Sequence, residues 1–137
     1  MNVTVEEYTS ISPITADLNL SLGDAFQLMK NHTIRHLPVT EDQKVVGIVS
    51  ERDILANYEK PWSLELRVKD IMNNSILIAY KTEALGDVAF RLSSEKKGSA
   101  IILEDTDELY GIFTTTDALN ALVDFMSPTK SKTIKRS

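Results

Sequence analysis

The sequence contains no cysteine among its 137 residues. Disulfide bonds, thiolate nucleophiles and cysteine-ligated zinc sites are therefore excluded. No apolar run approaches the ~18 residues typical of a membrane-spanning helix, and the first residues lack the basic and apolar regions of a secretory signal peptide. We therefore expect a cytoplasmic protein without a membrane partner.

Positive charge is scarce outside the end of the chain. Segment 127–137 holds four of the fifteen lysine and arginine residues and no acidic residue, which leaves eleven basic against twenty acidic residues, a net charge of −9, in the preceding chain. An acidic body repels phosphate backbones, and this argues against nucleic-acid binding by the folded part. We expect segment 127–137 to be a disordered basic tail; the alternative is that it contacts an acidic partner.

Glycine is also rare, yet two of the five glycines occupy the same place in two similar heptapeptides. GIVSERD begins at Gly47 and GIFTTTD begins at Gly111, and both follow the pattern G-x-x-[ST]-x-x-D. A shift of 63 residues aligns VEEYTS with VKDIMN and LGDAFQLM with LGDVAFRL, and the shift becomes 64 after a turn that is one residue longer. The chain is therefore an internal duplication that spans about residues 5–55 and 68–119.

Both copies predict the same order of elements. Apolar residues at helical spacing predict an amphipathic helix, which two strand-like runs and a short helix follow. The apolar stripe contains Leu22, Ala25, Phe26 and Met29 in one copy and Leu85, Val88, Ala89 and Leu92 in the other. With a small opening strand, each repeat is predicted as β-α-β-β-α, and the fold class is α+β. We place the repeats at residues 1–60 and 61–126 and expect them to pack on each other, because each is too small to bury its own sheet face well.

These features resemble the cystathionine-beta-synthase (CBS) domain, and the pair resembles a Bateman module. The resemblance is carried by LGDAFQLM, IRHLPV and VVGIVSERDIL, and by VKDIM at the opening of the second copy. It covers nearly the whole chain, from about residue 5 to residue 122. It implies a pseudo-two-fold module with two clefts for adenosine-containing ligands, and modules of this kind commonly dimerise. We therefore expect a homodimer that binds AMP, ADP or ATP, with S-adenosylmethionine as a further candidate.

The heptapeptide has two physical interpretations. In the first, the heptapeptide is a ligand-binding motif. Its glycine leaves room for a ligand or a neighbouring backbone, and its Ser or Thr caps a helix whose free N–H groups favour an anion. Its Asp offers oxygens to ribose hydroxyls. As a structural feature, S-x-x-D or T-x-x-D forms a capping box that closes the helix start. The matched repetition favours a ligand role for at least one copy.

The resemblance further implies that each cleft combines the heptapeptide of one repeat with strands of the other. The set favoured for phosphorylated ligands comprises Ile14, Thr15, Arg35, His36, Leu37, Pro38, Ile112, Thr114 and Asp117. The second set comprises Ser50, Asp53, Leu77, Ile78, Ala100 and Ile101. The first set is favoured because Arg35 and His36 offer charge or N–H groups to phosphate, although a solvated arginine and a structural histidine are the alternatives. Arg52 lies between Ser50 and Asp53 of the second set, and the equivalent residue in the other repeat is Thr116.

Patterns for catalysis and for metal binding are absent from the sequence. His32 and His36 are four residues apart, but IRHLPV turns strand-like before both could share one helical face. Neither a GxxxxGK[ST] loop nor a GxSxG elbow occurs. We therefore expect no enzymatic activity and no bound metal. The predicted function is that of a regulatory ligand-sensing module that transmits occupancy to an unknown protein target. The alternative is a structural dimerisation or protein-interaction module with empty clefts.

Overall fold

The computed structural model describes residues 3–11 and 14–127. The chain divides into two compact units. The first unit is Ile14–Ile76, and the second unit combines Met1–Pro13 with Leu77–Ser137. Apart from Ser127, the predicted basic tail lies outside the described residues.

Both units contain strands and helices in the same order. The strands are β1 (Ser10–Ile11), β2 (Ala16–Asp17), β3 (His36–Glu41), β4 (Lys44–Ser50), β5 (Leu77–Tyr80), β6 (Ser99–Leu103) and β7 (Leu109–Thr114). The α-helices are α1 (Leu22–His32), α2 (Glu51–Tyr58), α3 (Val68–Ile71), α4 (Leu85–Ser94) and α5 (Thr115–Met126), with 3-10 turns at Val5–Tyr8 and Ser63–Glu65. The orders β2-α1-β3-β4-α2 and β5-α4-β6-β7-α5 confirm the predicted β-α-β-β-α repeats and the α+β class.

Each unit contains one mixed sheet with the same central pairing. The first unit has the strand order β2-β3-β4, and the second has β1-β7-β6-β5. The antiparallel β3–β4 pair places His36 opposite Ser50, and the antiparallel β6–β7 pair places Ser99 opposite Thr114. The parallel β2–β3 and β5–β6 pairs require the crossover helices α1 and α4. Equivalent residues of the two repeats therefore occupy equivalent positions in their sheets.

The opening segment of each repeat lies in the unit that the other repeat builds. Val5 and Tyr8 are buried in the core of the second unit, and β1 pairs with β7. Val68 is buried in the core of the first unit. There, the backbone of Asn73 exchanges two hydrogen bonds with Ile48, at 3.0 and 2.9 Å. The compact units thus differ from the sequence repeats by these two short segments.

The predicted helical stripes supply the centre of each hydrophobic core. Leu22, Ala25 and Met29 are buried in the first unit, and Leu85, Val88 and Leu92 are buried in the second. Phe26 and Ala89, the remaining members of the stripes, are half-buried. Burial of one such large aliphatic side chain contributes about 1.5–3 kcal/mol to the free energy of unfolding. Within residues 3–11 and 14–127, every helix is too short or too polar to cross a bilayer.

Candidate functional site

The glycines of the two heptapeptides make room for neighbouring backbone. A Cβ atom on Gly47 would lie 2.6 Å from Sδ of Met72 and 3.0 Å from the carbonyl oxygen of Asn73. A Cβ atom on Gly111 would overlap the carbonyl oxygen of Ser10. The sequence predicted that each glycine leaves room either for a ligand or for a neighbouring backbone. In the structure, the backbone of Asn73 lies beside Gly47 and the backbone of Ser10 lies beside Gly111.

Ser50 and Asp53 form a capping box at the start of α2. Oγ of Ser50 accepts a hydrogen bond from the Asp53 N–H at 3.0 Å, and Oδ2 of Asp53 accepts one from the Ser50 N–H at 3.0 Å. The side chain of Asn57 also donates to the Asp53 carbonyl at 2.8 Å, which fixes the first turn of the helix. The capping interpretation is therefore confirmed for this heptapeptide.

Thr114 and Asp117 form the same box at the start of α5, with one bond more. Oδ2 of Asp117 accepts from the Thr114 N–H at 2.8 Å and from the Thr114 hydroxyl at 3.0 Å, and the Asp117 N–H donates to Oγ1 of Thr114 at 3.3 Å. Asp117 is only 3% exposed. Burial raises the pKa of its carboxyl group above the ordinary value, and the hydrogen bonds from Thr114 oppose this shift.

Backbone contacts in the first unit place three basic residues around the start of α2. The Glu51 N–H donates to the Arg35 carbonyl at 2.8 Å, and His36 lies opposite Ser50 in the sheet. A cavity of about 700 Å³ opens at this point, and its polar lining includes Arg35, His36, Ser50, Glu51 and Arg52. The first unit therefore brings predicted residues of both sets, Arg35 and His36 with Ser50, to one cavity.

His36 is half-buried at the edge of this cavity. Burial lowers the pKa of its imidazole below the ordinary value. The Asp53 carboxylate opposes that shift, and the neighbouring Arg35 guanidinium adds to it. His36 is therefore held towards its neutral form, while the two arginines carry permanent positive charge.

The second unit repeats the backbone arrangement with uncharged residues at the three equivalent positions, although Lys96 and Lys97 precede them in the chain. The Thr115 N–H donates to the Gly98 carbonyl at 3.1 Å, and Ser99 lies opposite Thr114. Thr116 follows on α5. The positions equivalent to Arg35, His36 and Arg52 are therefore held by Gly98, Ser99 and Thr116.

The other predicted residues divide between the units. Ile14, Thr15, Leu37 and Pro38 lie in the first unit, and Leu77, Ile78, Ala100, Ile101 and Ile112 lie in the second. Ile101 lies between Ile78 and Ile112 across three adjacent strands. The side chains of Leu37, Leu77 and Ala100 belong to the hydrophobic cores of their own units. A ligand contact from these three residues would therefore use backbone groups.

The predicted sets omitted four residues that line the cavity of the first unit, namely Glu51, Arg52, Leu55 and Ala56. The signal for them was present, because residues at positions i, i+3 and i+4 share one face of a helix. His32 ends α1 and His36 begins β3, so the two histidines lie on different elements. Among the residues that the structure describes, no group of three or more His, Asp or Glu side chains could hold a metal ion.

The chain belongs to the CBS-domain family. The family model for the CBS domain matches residues 5–60 and 68–124, which is most of the chain. Among curated proteins of Methanocaldococcus jannaschii, the chain is 26% identical over 121 residues to the uncharacterised protein MJ1232, covering 88% of this chain and 38% of that protein. It is 30% identical over 117 residues to L-aspartate semialdehyde sulfurtransferase, covering 82% of this chain and 22% of the enzyme. The chain thus matches only a minor part of these relatives.

Solved CBS pairs share the fold. The CBS domain pair of protein MJ0100, in complex with 5′-methylthioadenosine and S-adenosyl-L-methionine, superposes with a TM-score of 0.78 at 26% identity, covering 89% of this chain and 97% of that one. CBSX2 of Arabidopsis thaliana, in complex with AMP, gives a TM-score of 0.73 at 26% identity, covering 90% and 98%. The common architecture of these proteins and this chain is the tandem CBS module.

Proposed function

We propose that this chain is a regulatory module that binds an adenine nucleotide or a related adenosyl compound and transmits its occupancy to a protein partner. The cavity at the start of α2 carries the proposal, because Arg35, His36 and Arg52 surround a capped helix start there. The complexes of CBSX2 with AMP and of the MJ0100 pair with adenosyl compounds support this choice of ligand class.

In this proposal, Asp53 and Asp117 each have two tasks. The hydrogen bonds that their carboxylates accept from described residues use Oδ2, which closes the helix start. A ribose hydroxyl would then donate to Oδ1 of the half-buried Asp53, as hydroxyls readily do to charged acceptors. Asp117 is 3% exposed, so its Oδ1 would accept the same bond only if the packing around it opens. The capping and ligand interpretations of the heptapeptide are therefore compatible.

The remaining predicted residues are proposed to hold the base and the sugar. Ile14 and Ile78 offer accessible apolar side chains for the faces of an adenine ring, and Thr15 follows Ile14 in the first set. Pro38, Ile101 and Ile112 are buried, so their side chains would reach the ring only if the packing around them opens. Leu37, Leu77 and Ala100 would contribute backbone N–H and C=O groups, since their side chains lie in the cores. Backbone groups can read the edge of a base without introducing charge.

A thermal-shift panel tests the proposed function. The full chain is heated alone and with AMP, ADP, ATP, adenosine, S-adenosylmethionine and 5′-methylthioadenosine. A ligand that binds only the folded state stabilises it by about 2.7 kcal/mol at 100 times its Kd, so the melting temperature should rise with ligand concentration. If none of these compounds shifts the melting temperature, the alternative of a dimerisation or protein-interaction module is favoured.

We also propose that the chain forms a homodimer through the α4/α5 face of the second unit. Large apolar side chains are exposed there, namely those of Phe90, Leu119, Leu122, Phe125 and Met126. A groove of about 200 Å³ between the two helices is lined by Gly86, Ala89 and Leu122 among others. In the first unit the residues equivalent to Ala89 and Leu122 are Phe26 and Tyr58, whose rings pack edge to face at 5.7 Å. Exposed apolar patches of this kind mark interaction sites.

A further inference from the structure

The two units share one backbone arrangement at the starts of α2 and α5 but differ in charge at equivalent positions. Arg35 and Gly98 each accept the first helical N–H through their carbonyl oxygens, at 2.8 and 3.1 Å. Arg52 and Thr116 each occupy the second position of the helix. The two repeats can therefore be compared directly, because the side-chain charge differs at these positions while the backbone hydrogen bonds are equivalent.

The two arginines at the first cavity are not neutralised by neighbouring acids. Within residues 3–11 and 14–127, neither Arg35 nor Arg52 lies within 4.0 Å of a carboxylate oxygen. Glu51, the acidic residue of the cavity lining, instead faces Lys30, with Nζ and Oε2 3.8 Å apart. Two guanidinium groups therefore border one cavity in a body with a strong excess of negative charge.

The chemistry of this cavity suits a phosphate group. A guanidinium presents parallel N–H donors that match two phosphate oxygens, and its charge persists at every physiological pH. The volume of about 700 Å³ lies within the range of small-molecule sites, roughly 300–1,000 Å³. The same pair of charges would repel the sulfonium centre of S-adenosylmethionine.

We infer that the two heptapeptides now differ in the charge of the ligand group that each one binds. The first unit receives the phosphate of a phosphorylated adenosyl ligand between Arg35 and Arg52, whereas the equivalent place in the second unit, with Gly98 and Thr116, receives no phosphate. This inference rests on the proposed function and names its ligand class. It also assigns Arg35 to act with Ser50 rather than with Thr114 and Asp117.

Calorimetry on the full chain tests the inference with AMP and adenosine at low and high salt. We expect AMP to bind at least ~10-fold more tightly than adenosine at low salt, with the difference shrinking as salt screens the arginines. The double variant Arg35→Gln/Arg52→Thr should lose this difference and keep its adenosine affinity. The control Lys44→Gln removes another exposed positive charge of the same unit, outside the cavity lining, and it should change neither affinity.

Equal affinities for AMP and adenosine in the unmodified chain would overturn the inference, and so would an equal loss of both ligands in the double variant. Both results leave adenosyl binding, and hence the proposed function, intact.

Failure of every adenosyl ligand to bind would count against the proposed function, and an NMR titration then tests the phosphate site by itself. Inorganic pyrophosphate is added to the ¹⁵N-labelled chain while the amide resonances are followed. Shifts at residues 50–53 without shifts at residues 114–117 support the inference. Shifts at both places, or at neither, overturn it.

Discussion

The backbone of Gly111 lies against the carbonyl group of Ser10, so closely that a Cβ atom on the glycine would overlap the oxygen. Ser10 belongs to β1, which pairs with β7 and brings the first residues of the chain into the second unit. Gly47 has the equivalent relationship with Asn73 in the first unit. The repeated glycine is therefore the position at which each sheet receives a distant segment of the chain.

Replacing Gly111 with a larger residue should destabilise the pairing of β1 with β7. Gly111→Ala places a methyl group against backbone that has no flexible end to move, and we expect a loss of about 1–3 kcal/mol in the free energy of unfolding. Gly98→Ala is the matched control, because nothing lies within 4 Å of its Cβ position and its φ is not positive. Urea denaturation measures both variants. Similar stabilities would show that β1 can shift without cost.

The two tasks proposed for Asp53 can be separated by mutation. Asp53→Ala removes both the cap and the ribose acceptor, so nucleotide binding should weaken by roughly 2 kcal/mol, as expected for lost hydrogen bonds to a charged group. Ser50→Ala removes a capping hydroxyl but retains the carboxylate, and it should cost about 1 kcal/mol of stability with a smaller effect on affinity. Calorimetry and thermal melts measure the two quantities. Parallel losses of affinity and stability in both variants would indicate that Asp53 only caps α2.

His36 should make stability depend on pH near neutrality. Its pKa is lowered in the folded state, mainly by burial, so the unfolded chain takes up the proton first as pH falls. The free energy of unfolding should therefore decrease as pH falls below about 6.5, towards the lowered pKa of the folded state.

The two histidines of the chain provide a matched comparison for this effect. His36→Gln should reduce the decrease in melting temperature between pH 7.5 and 5.5, a range placed around the ordinary histidine pKa of about 6.5. His32→Gln changes the exposed histidine at the end of α1 and should leave the decrease as it is in the unmodified chain. Identical pH profiles for both variants would contradict this role of His36.

The proposed dimer can be tested on its apolar face. Phe90 is 70% exposed on α4, and Leu122 is 50% exposed on α5. Phe90→Ser with Leu122→Ser should convert the dimer to a monomer in multi-angle light scattering, because the apolar area that drives association is removed. Leu64→Ser is the control, since Leu64 is 90% exposed and belongs to the first unit, so it is not part of the α4/α5 face. A monomeric unmodified chain at tens of micromolar would contradict the proposal.

The sequence by itself determined the local features of this protein. The 63-residue repeat was visible when the chain was aligned with itself. The helical stripe that begins at Leu22 and the β-α-β-β-α order depend on periodicity within a few turns or strands, and the structure confirms them. The capping boxes at Ser50 and Thr114 were equally readable, because their partners lie three residues apart.

Only the tertiary structure decided which distant groups meet. It showed that backbone from Ser10 and Asn73 fills the space beside the two glycines, which no local pattern could specify. It also distinguished a buried Asp117 from a half-buried Asp53, although both stand in the same motif. The cavity that joins Arg35 to Arg52 exists because antiparallel pairing of β3 and β4 brings the start of one strand beside the end of the next. The burial of a side chain and the meeting of two distant charges depend on long-range packing, which neighbouring residues in the sequence do not determine.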